Sequence, residues 1–312
     1  GSLVVSSAVA GEMSVAGSAS IGVKNTEKTA SGKSWTMGNQ LTFSGSGELD
    51  NGMNVSLSFV IDQGDDETDT ATGAAGSPFD SHSVTVSSDA LGTLVFSGEG
   101  GSSAQSAIDT TAAGDIWDNG SGFYATGSSP IAAEAGDNSM LYTLPSIMDD
   151  LTVKASYSPG GAGGGSATAL SLGYTVVEGL TLDYAQGQVE TVGSEAEVTT
   201  MKASYAISSF TVSYSDTSAE HDASSNTDED ITSWNVAYTV SDDLSIAYGT
   251  ETIETEGQSV DEEGEKINVS YTTGGVTLSA TQYSFDNRGN TETEAAATGD
   301  HERWSLSASF AF

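Results

Sequence analysis

Residues 303–312, RWSLSASFAF, decide how this chain is read. Trp304, Leu306, Ala308, Phe310 and Phe312 alternate with Arg303, Ser305, Ser307, Ser309 and Ala311. Side chains along a strand point to opposite faces with a period of two, so this segment has one apolar, aromatic face and one small, mostly polar face. In a water-soluble sandwich the apolar face would turn into a core. Whether it does so here depends on what the rest of the chain repeats.

The alternation starts at Glu12, with Met13, Val15, Ala19, Ile21 and Val23 on one face. About sixteen such segments follow, at 12–24, 33–48, 53–63, 80–88, 93–99, 139–145, 151–158, 167–177, 180–191, 197–207, 210–218, 231–240, 244–256, 264–273, 276–287 and 301–312. Their connections alternate in length. Tight ones such as Glu178-Gly179, Ser208-Ser209 and Gly274-Gly275 have the residues that hairpin turns require. Between them lie longer acidic or Gly/Ser-rich stretches at 64–79, 100–138, 219–230 and 288–300. Short turns on one side and long loops on the other are the pattern of an up-and-down barrel in a membrane. Tyr142, Tyr174, Tyr205, Tyr238 and Tyr271 recur roughly every 32 residues, each followed by a tight turn and a new apolar-alternating start. A period of this size can mark a solenoid, but each unit here holds two strands and one turn, which is a hairpin. By parity all five tyrosines share the apolar face, where they would form an interfacial girdle outside a barrel, with Phe312 at its end.

Composition narrows the classes. The 312 residues include 37 Gly, 4 Pro and no Cys, which excludes a disulfide framework and thiol chemistry. No apolar run is long enough for a transmembrane helix, but barrel strands average to bland hydropathy and escape that test. Forty-four acidic against 8 basic residues, net −36, is the wrong sign for a nucleic-acid partner. Disorder is not expected, because the acids sit mainly between the alternating segments. Residues 1–10 end in Ala8-Val9-Ala10 and resemble the tail of a secretory signal peptide. They are expected to be a leader remnant ahead of a single barrel domain, 11–312, the alternative being an ordered first strand.

Taken together these features resemble a general bacterial porin of the Gram-negative outer membrane, nearer the alphaproteobacterial type than the enteric one. The resemblance rests on about sixteen strands, a terminal Phe312, an outsized third long loop at 100–138, and Asn138-Ser139-Met140-Leu141-Tyr142-Thr143 opening the next strand. Leu141 stands where many enteric members carry a pore-lining Arg, and the Pro-Glu-Phe-Gly-Gly signature of many third loops is absent. The resemblance implies an all-β transmembrane antiparallel barrel, a homotrimer in outer-membrane lipid, and passive diffusion of small hydrophilic solutes and ions. Independently, Tyr is absent before residue 124, and the early strands expose Gly17, Ala19, Gly45 and Gly47 on the outward parity. A wall without belt residues is expected to meet protein rather than lipid.

Catalytic constellations are not found. His82, His221 and His301 are scattered, without zinc spacing, and Ser is too frequent for adjacency to suggest a Ser-His dyad. The Gly-rich run at 160–165 precedes a strand rather than a helix, so it is no phosphate cradle. No cofactor is required; the acidic loop residues Asp65, Asp66 and Asp69 with Asp228 and Asp230 offer hard oxygen donors that suit Ca²⁺, against the plainer reading of solvated acids.

With the apolar parity outward, the inward face is mostly Ser, Thr, Gly and Ala, a wall for water. Lys24, Lys154, Lys202, Lys266 and Arg303 fall on it as candidate pore-wall cations. Avoidance of lipid explains their parity but not their presence. The 100–138 loop carries Asp109, Asp115, Asp118, Glu134 and Asp137 and no Lys or Arg. Its Ile108, Ile116, Trp117, Phe123, Tyr124 and Ile131 are too apolar for a loop in water, so it is expected to tuck against the inner wall and narrow the bore, its acids facing Lys154 or Lys202. Glu12, Glu48, Asp62, Glu99, Asp183 and Glu251 share the inward parity, so modest cation selectivity is expected. The alternative function is a non-conducting surface barrel with an adhesive or structural role through its acidic loops; an outer-membrane hydrolase ranks below both.

Overall fold

Strands form where the sequence alternates, because each alternation gives a pleated segment one face for water and one for an apolar surface. A computed structural model describes residues 13–26, 32–62, 79–108, 112–114, 116, 137–160, 165–191, 194–222, 227–293 and 299–312. The first half of the wall is β1 (Met13–Thr26), β2 (Gly32–Glu48), β3 (Asn54–Asp62), β4 (Phe79–Ser88), β5 (Gly92–Glu99), β6 (Ser139–Thr143), β7 (Leu151–Ser158) and β8 (Ala167–Val177). The second half is β9 (Leu180–Thr191), β10 (Ser194–Ile207), β11 (Phe210–His221), β12 (Glu229–Ser241), β13 (Leu244–Thr255), β14 (Glu262–Thr273), β15 (Val276–Arg288) and β16 (Gly299–Ala311). Residues 1–12 lie outside the described residues, so the leader reading has no structural counterpart.

Each strand pairs antiparallel with its sequence neighbours, and β1 pairs with β16 to close the barrel. Closure leaves no unpaired edge, the condition for a sheet to stand in hydrocarbon. The seam continues past β16: Gly17 N–H donates to the Phe312 carbonyl at 2.7 Å and Phe312 N–H to the Gly17 carbonyl at 2.9 Å. The Phe312 ring fills the space that a side chain on Gly17 would need. At the opposite turn type, Gly274 and Gly275 both have positive φ, 56° and 83°, as a two-residue hairpin turn with the twist of its strands requires.

Burial is the inverse of a soluble domain. Leu170, Val212, Ile267, Leu278 and Leu306 are each nearly half exposed on the outer face. The buried apolar residues instead lie on the inner wall. Two aromatic tiers stand outside. Tyr174, Tyr205, Tyr238 and Tyr271 are at the short-turn end, where Phe210 stacks on Tyr238 with ring centroids 4.5 Å apart. Tyr142 shares that tier and donates its hydroxyl to the Leu91 carbonyl at 2.6 Å. Nearer the long loops, Tyr184, Tyr214, Trp234 and Tyr248 form a second tier that the 32-residue repeat does not reveal.

The acidic stretches are shorter loops than the sequence suggests. β11 runs on to His221, β12 starts at Glu229 and β14 at Glu262, so 219–221, 229–230 and 262–263 belong to strands. Their carboxylates face outward just above the second aromatic tier. Glu197 opposes Glu220, Asp230 opposes Glu254 and Glu263 opposes Asp286 in register. Tyr214 and Tyr248 donate hydroxyl bonds up to Asp216 (3.3 Å) and Glu265 (2.9 Å). Hydropathy alternation ends where this acidic rim begins, which is why the strand ends were placed too early.

Candidate constriction in the lumen

After β5 the chain turns inward and follows the barrel's inner face. Ser103 and Ser106 exchange backbone N–H and hydroxyl bonds at 2.9 Å each, which shapes a short 3₁₀ turn at Ser106–Ile108. From there the described residues are fastened to successive strands. Ala104 N–H donates to Ser156 Oγ on β7 (2.8 Å), and Gln105 Nε2 to Thr200 Oγ1 on β10 (2.8 Å). Ala112 N–H reaches Ser215 Oγ on β11 and Ala113 N–H reaches Ser233 Oγ on β12, both at 2.8 Å. Ile116 N–H donates to Glu251 Oε2 on β13 at 2.7 Å. Every backbone donor led away from water needs such a partner, and short inward hydroxyls supply it at the right height.

Apolar packing runs alongside. Ala104 is buried with Ala167, Ala169, Val189 and Ala196, against which Leu141 packs. Ala113 and the fully buried Ile116 cluster with Tyr283 and Phe285. Two inward glycines make the seat: a Cβ on Gly249 would stand 2.7 Å from Ala113 Cβ, and one on Gly264 2.9 Å from Ile116 Cγ2. The small inward residues that read as clearance for water are thus partly clearance for the loop.

Lys202 donates to the Ile108 carbonyl at 3.4 Å, and Lys266 to the carbonyls of Ala113 and, at 3.3 Å, Gly114. Two of the five inward cations therefore hold loop backbone. Asp109, Asp115, Asp118 and Glu134, and with them Trp117, Phe123, Tyr124 and Ile131, lie outside the described residues. Asp137 is exposed at the loop's exit, next to Asn138, whose N–H pairs with the Gly98 carbonyl at 3.2 Å. Lys154 and Asp183 line one cavity of about 320 Å³ beneath the loop. Lys24 opposes Ser34 and Ser305 on β2 and β16, and Arg303 opposes Tyr283.

Among the other candidates, Asp228 Oδ1 accepts the His221 N–H at 2.7 Å and closes the β11–β12 connection, while Asp230 faces outward opposite Glu254. Among the described residues no three His, Asp or Glu side chains converge as metal ligands, and Asp65, Asp66 and Asp69 lie outside them. The pegs Ser156, Thr200, Ser215 and Ser233 escaped sequence reasoning because Ser and Thr fill the inward parity almost everywhere, and Glu251 was read only as an inward charge. The inward glycines 249 and 264, each flanked by longer residues, were the available signal.

A family model of Gram-negative porins matches residues 2–271. The chain belongs to the Gram-negative porin family. This porin is therefore an integral outer-membrane channel for passive diffusion. Solved structures with the same fold include a porin refined at 1.8 Å (17% identity, TM-score 0.69, covering 96% of this chain and 100% of that one). They also include the trimer form of OmpT from Vibrio cholerae (17%, 0.70, 97% and 100%) and the anion-selective porin from Comamonas acidovorans (15%, 0.67, 96% and 99%). No curated protein matches the sequence. Family and fold point to a channel rather than an enzyme.

Proposed function

We propose that this porin passes small hydrophilic solutes and ions with modest cation selectivity, through a bore set by the 100–138 loop, as a homotrimer in outer-membrane lipid. The observation that carries the reading is the fastening of Ala104, Gln105, Ile108, Ala112, Ala113 and Ile116 to inner-wall side chains of β7, β10, β11, β12, β13 and β14. A loop held on that path takes cross-section from the lumen at mid-wall, where width and fixed charge decide passage. The excess of 44 acids over 8 bases, Lys202 and Lys266 among them, sets a negative potential at the mouth. The Comamonas relative is anion-selective on the same fold, so selectivity here rests on this chain's own charges. For the assembly, Met13, Trp35 and Met37 stand about three-quarters exposed on the outer face of β1 and β2, a surface suited to a second copy.

The test is a planar-bilayer measurement on the purified protein in a KCl gradient. Open currents with a reversal potential on the cation side, weakening as salt shortens the Debye length, are the expected result. Anion preference at low salt, or a closed barrel, overturns it.

A further inference from the structure

Beneath the 3₁₀ turn of the loop, on the side of the short turns, the wall encloses a second feature. The cavity of about 320 Å³ is roofed by Ala107 and Ile108, with Asp150 and Thr175 at its lower end. Lys154 of β7 and Asp183 of β9 project into it, and hydroxyls of Thr152, Ser171 and Thr181 line it between them. Lys154 opposes Ser171 and Asp183 opposes Gly173, so the two charges lie diagonally across β8, two strand spacings apart and two residues offset along it, about 12 Å at the backbone.

Gly173 makes the arrangement possible. A Cβ there would stand 2.7 Å from Asp183 Oδ1, so the carboxylate leans over bare backbone toward the middle of the cavity. Gly173 is not among the positive-φ glycines, so clearance rather than turn geometry accounts for it. On the other side Asp183 is directly opposite Lys202 in register, and Lys202 is held by the Ile108 carbonyl. The carboxylate lies in the field of both ammoniums. Among the described residues neither Lys154 nor Asp183 makes a hydrogen bond or a close ion pair. Lys154 and Asp183 thus stand on opposite sides of β8, about the length of a small molecule apart, with a second carboxylate, Asp150, at the lower end of the cavity.

We propose that this cavity is a transit subsite for small zwitterions of the amino-acid type, the solute carboxylate meeting Lys154 and its ammonium meeting Asp183. A zwitterion carries no net charge, so the strongly acidic chain does not exclude it as it would a simple anion. Its two ends match the cavity's two ends, whereas an anion would meet Asp183 and a cation would meet Lys154 and Lys202. The wall hydroxyls can replace the water that the solute sheds. The inference rests on the porin reading above, with the lumen open to solutes.

The experiment uses the full-length protein and three small three-carbon probes: L-alanine, propionate and 1,2-propanediol. In a planar bilayer at fixed ionic strength, alanine should lower the open-channel current saturably, and propanediol and propionate should do so at least fivefold more weakly. Lys154→Gln and Gly173→Ala should each weaken the alanine effect, taken relative to that variant's own open current, by fivefold or more. Equal effects of alanine and propanediol, or an unaltered Lys154→Gln response, overturn the subsite; propionate acting as strongly as alanine overturns the zwitterion assignment. Saturation-transfer NMR of alanine on the detergent-solubilised protein reads the site without a current. Binding lost in Lys154→Gln supports the subsite even if the channel is closed, and no binding to the unsubstituted protein overturns it.

Discussion

Glu251 shows what one buried side chain contributes to a channel. It is 2% exposed, accepts the Ile116 N–H at 2.7 Å and receives the Ser233 hydroxyl at 3.4 Å. A hydrogen bond to a charged partner adds about 1.5–3 kcal/mol. At 1.4 kcal/mol per tenfold, that corresponds to a docked-to-undocked ratio shifted by one to two powers of ten. Glu251→Ala is therefore expected to turn a steady open current into one with frequent sub-millisecond to millisecond flicker. Glu251→Gln, which keeps an acceptor for Ile116, should restore most of the steadiness. Single-channel recordings at matched voltage check both, and a quiet trace from Glu251→Ala would show that the loop is held without it.

At the scale of the element, the third long loop and its seat were shaped together. Gly249 and Gly264 leave room for Ala113 and Ile116, while Tyr283 and Phe285 supply the apolar floor. Fully burying a side chain such as Ile116 stabilises by roughly 1.5–3 kcal/mol, and the N–H bonds to Ser215 and Ser233 add to that. The barrel's own ladders do not run through the loop, so removing it spares the wall. Deleting residues 109–123 is expected to raise single-channel conductance several-fold while the purified protein keeps its strand signal in circular dichroism. Unchanged conductance would place the narrowest point elsewhere in the wall or at the mouth.

For the whole molecule the proposed homotrimer asks one surface to meet lipid and another to meet a second copy. The acidic rim and both aromatic tiers are best developed on β9–β14, where Tyr184, Tyr214 and Tyr248 stand below Glu197, Glu220 and Glu265. On β1 and β2 the outer face instead carries Met13, Trp35 and Met37 beside Gly17, Ala19 and Gly45, with no tyrosine. Large exposed apolar side chains next to bare backbone suit close packing of protein on protein. Replacing Trp35 and Met37 together by Asp should convert the assembly to folded monomers in mild detergent, read by light scattering. Persistent trimers would move the contact off this face.

The alternation in 303–312, repeated along the chain, determined the all-β class, the number of strands and most of their bounds, because a pleated strand between water and hydrocarbon must alternate residue by residue. The Gly274-Gly275 and Glu178-Gly179 turns fixed which ends are tight, and the apolar residues of 100–138 indicated a loop that leaves water. Parity also told which way Lys202, Lys266 and Glu251 point. It could not tell what they touch. Ser156, Ser215 and Ser233 bind the loop, and which inward serines do so is set by which strand the loop crosses and at what height. Lys202 and Lys266 hold carbonyl oxygens for the same reason: a backbone acceptor has no signature in the sequence, and only closure of the barrel brings Ile108 against β10 and Ala113 against β14. The cavity between Lys154 and Asp183 belongs to the tertiary level too, since it needs Gly173 between two strands and the loop above them.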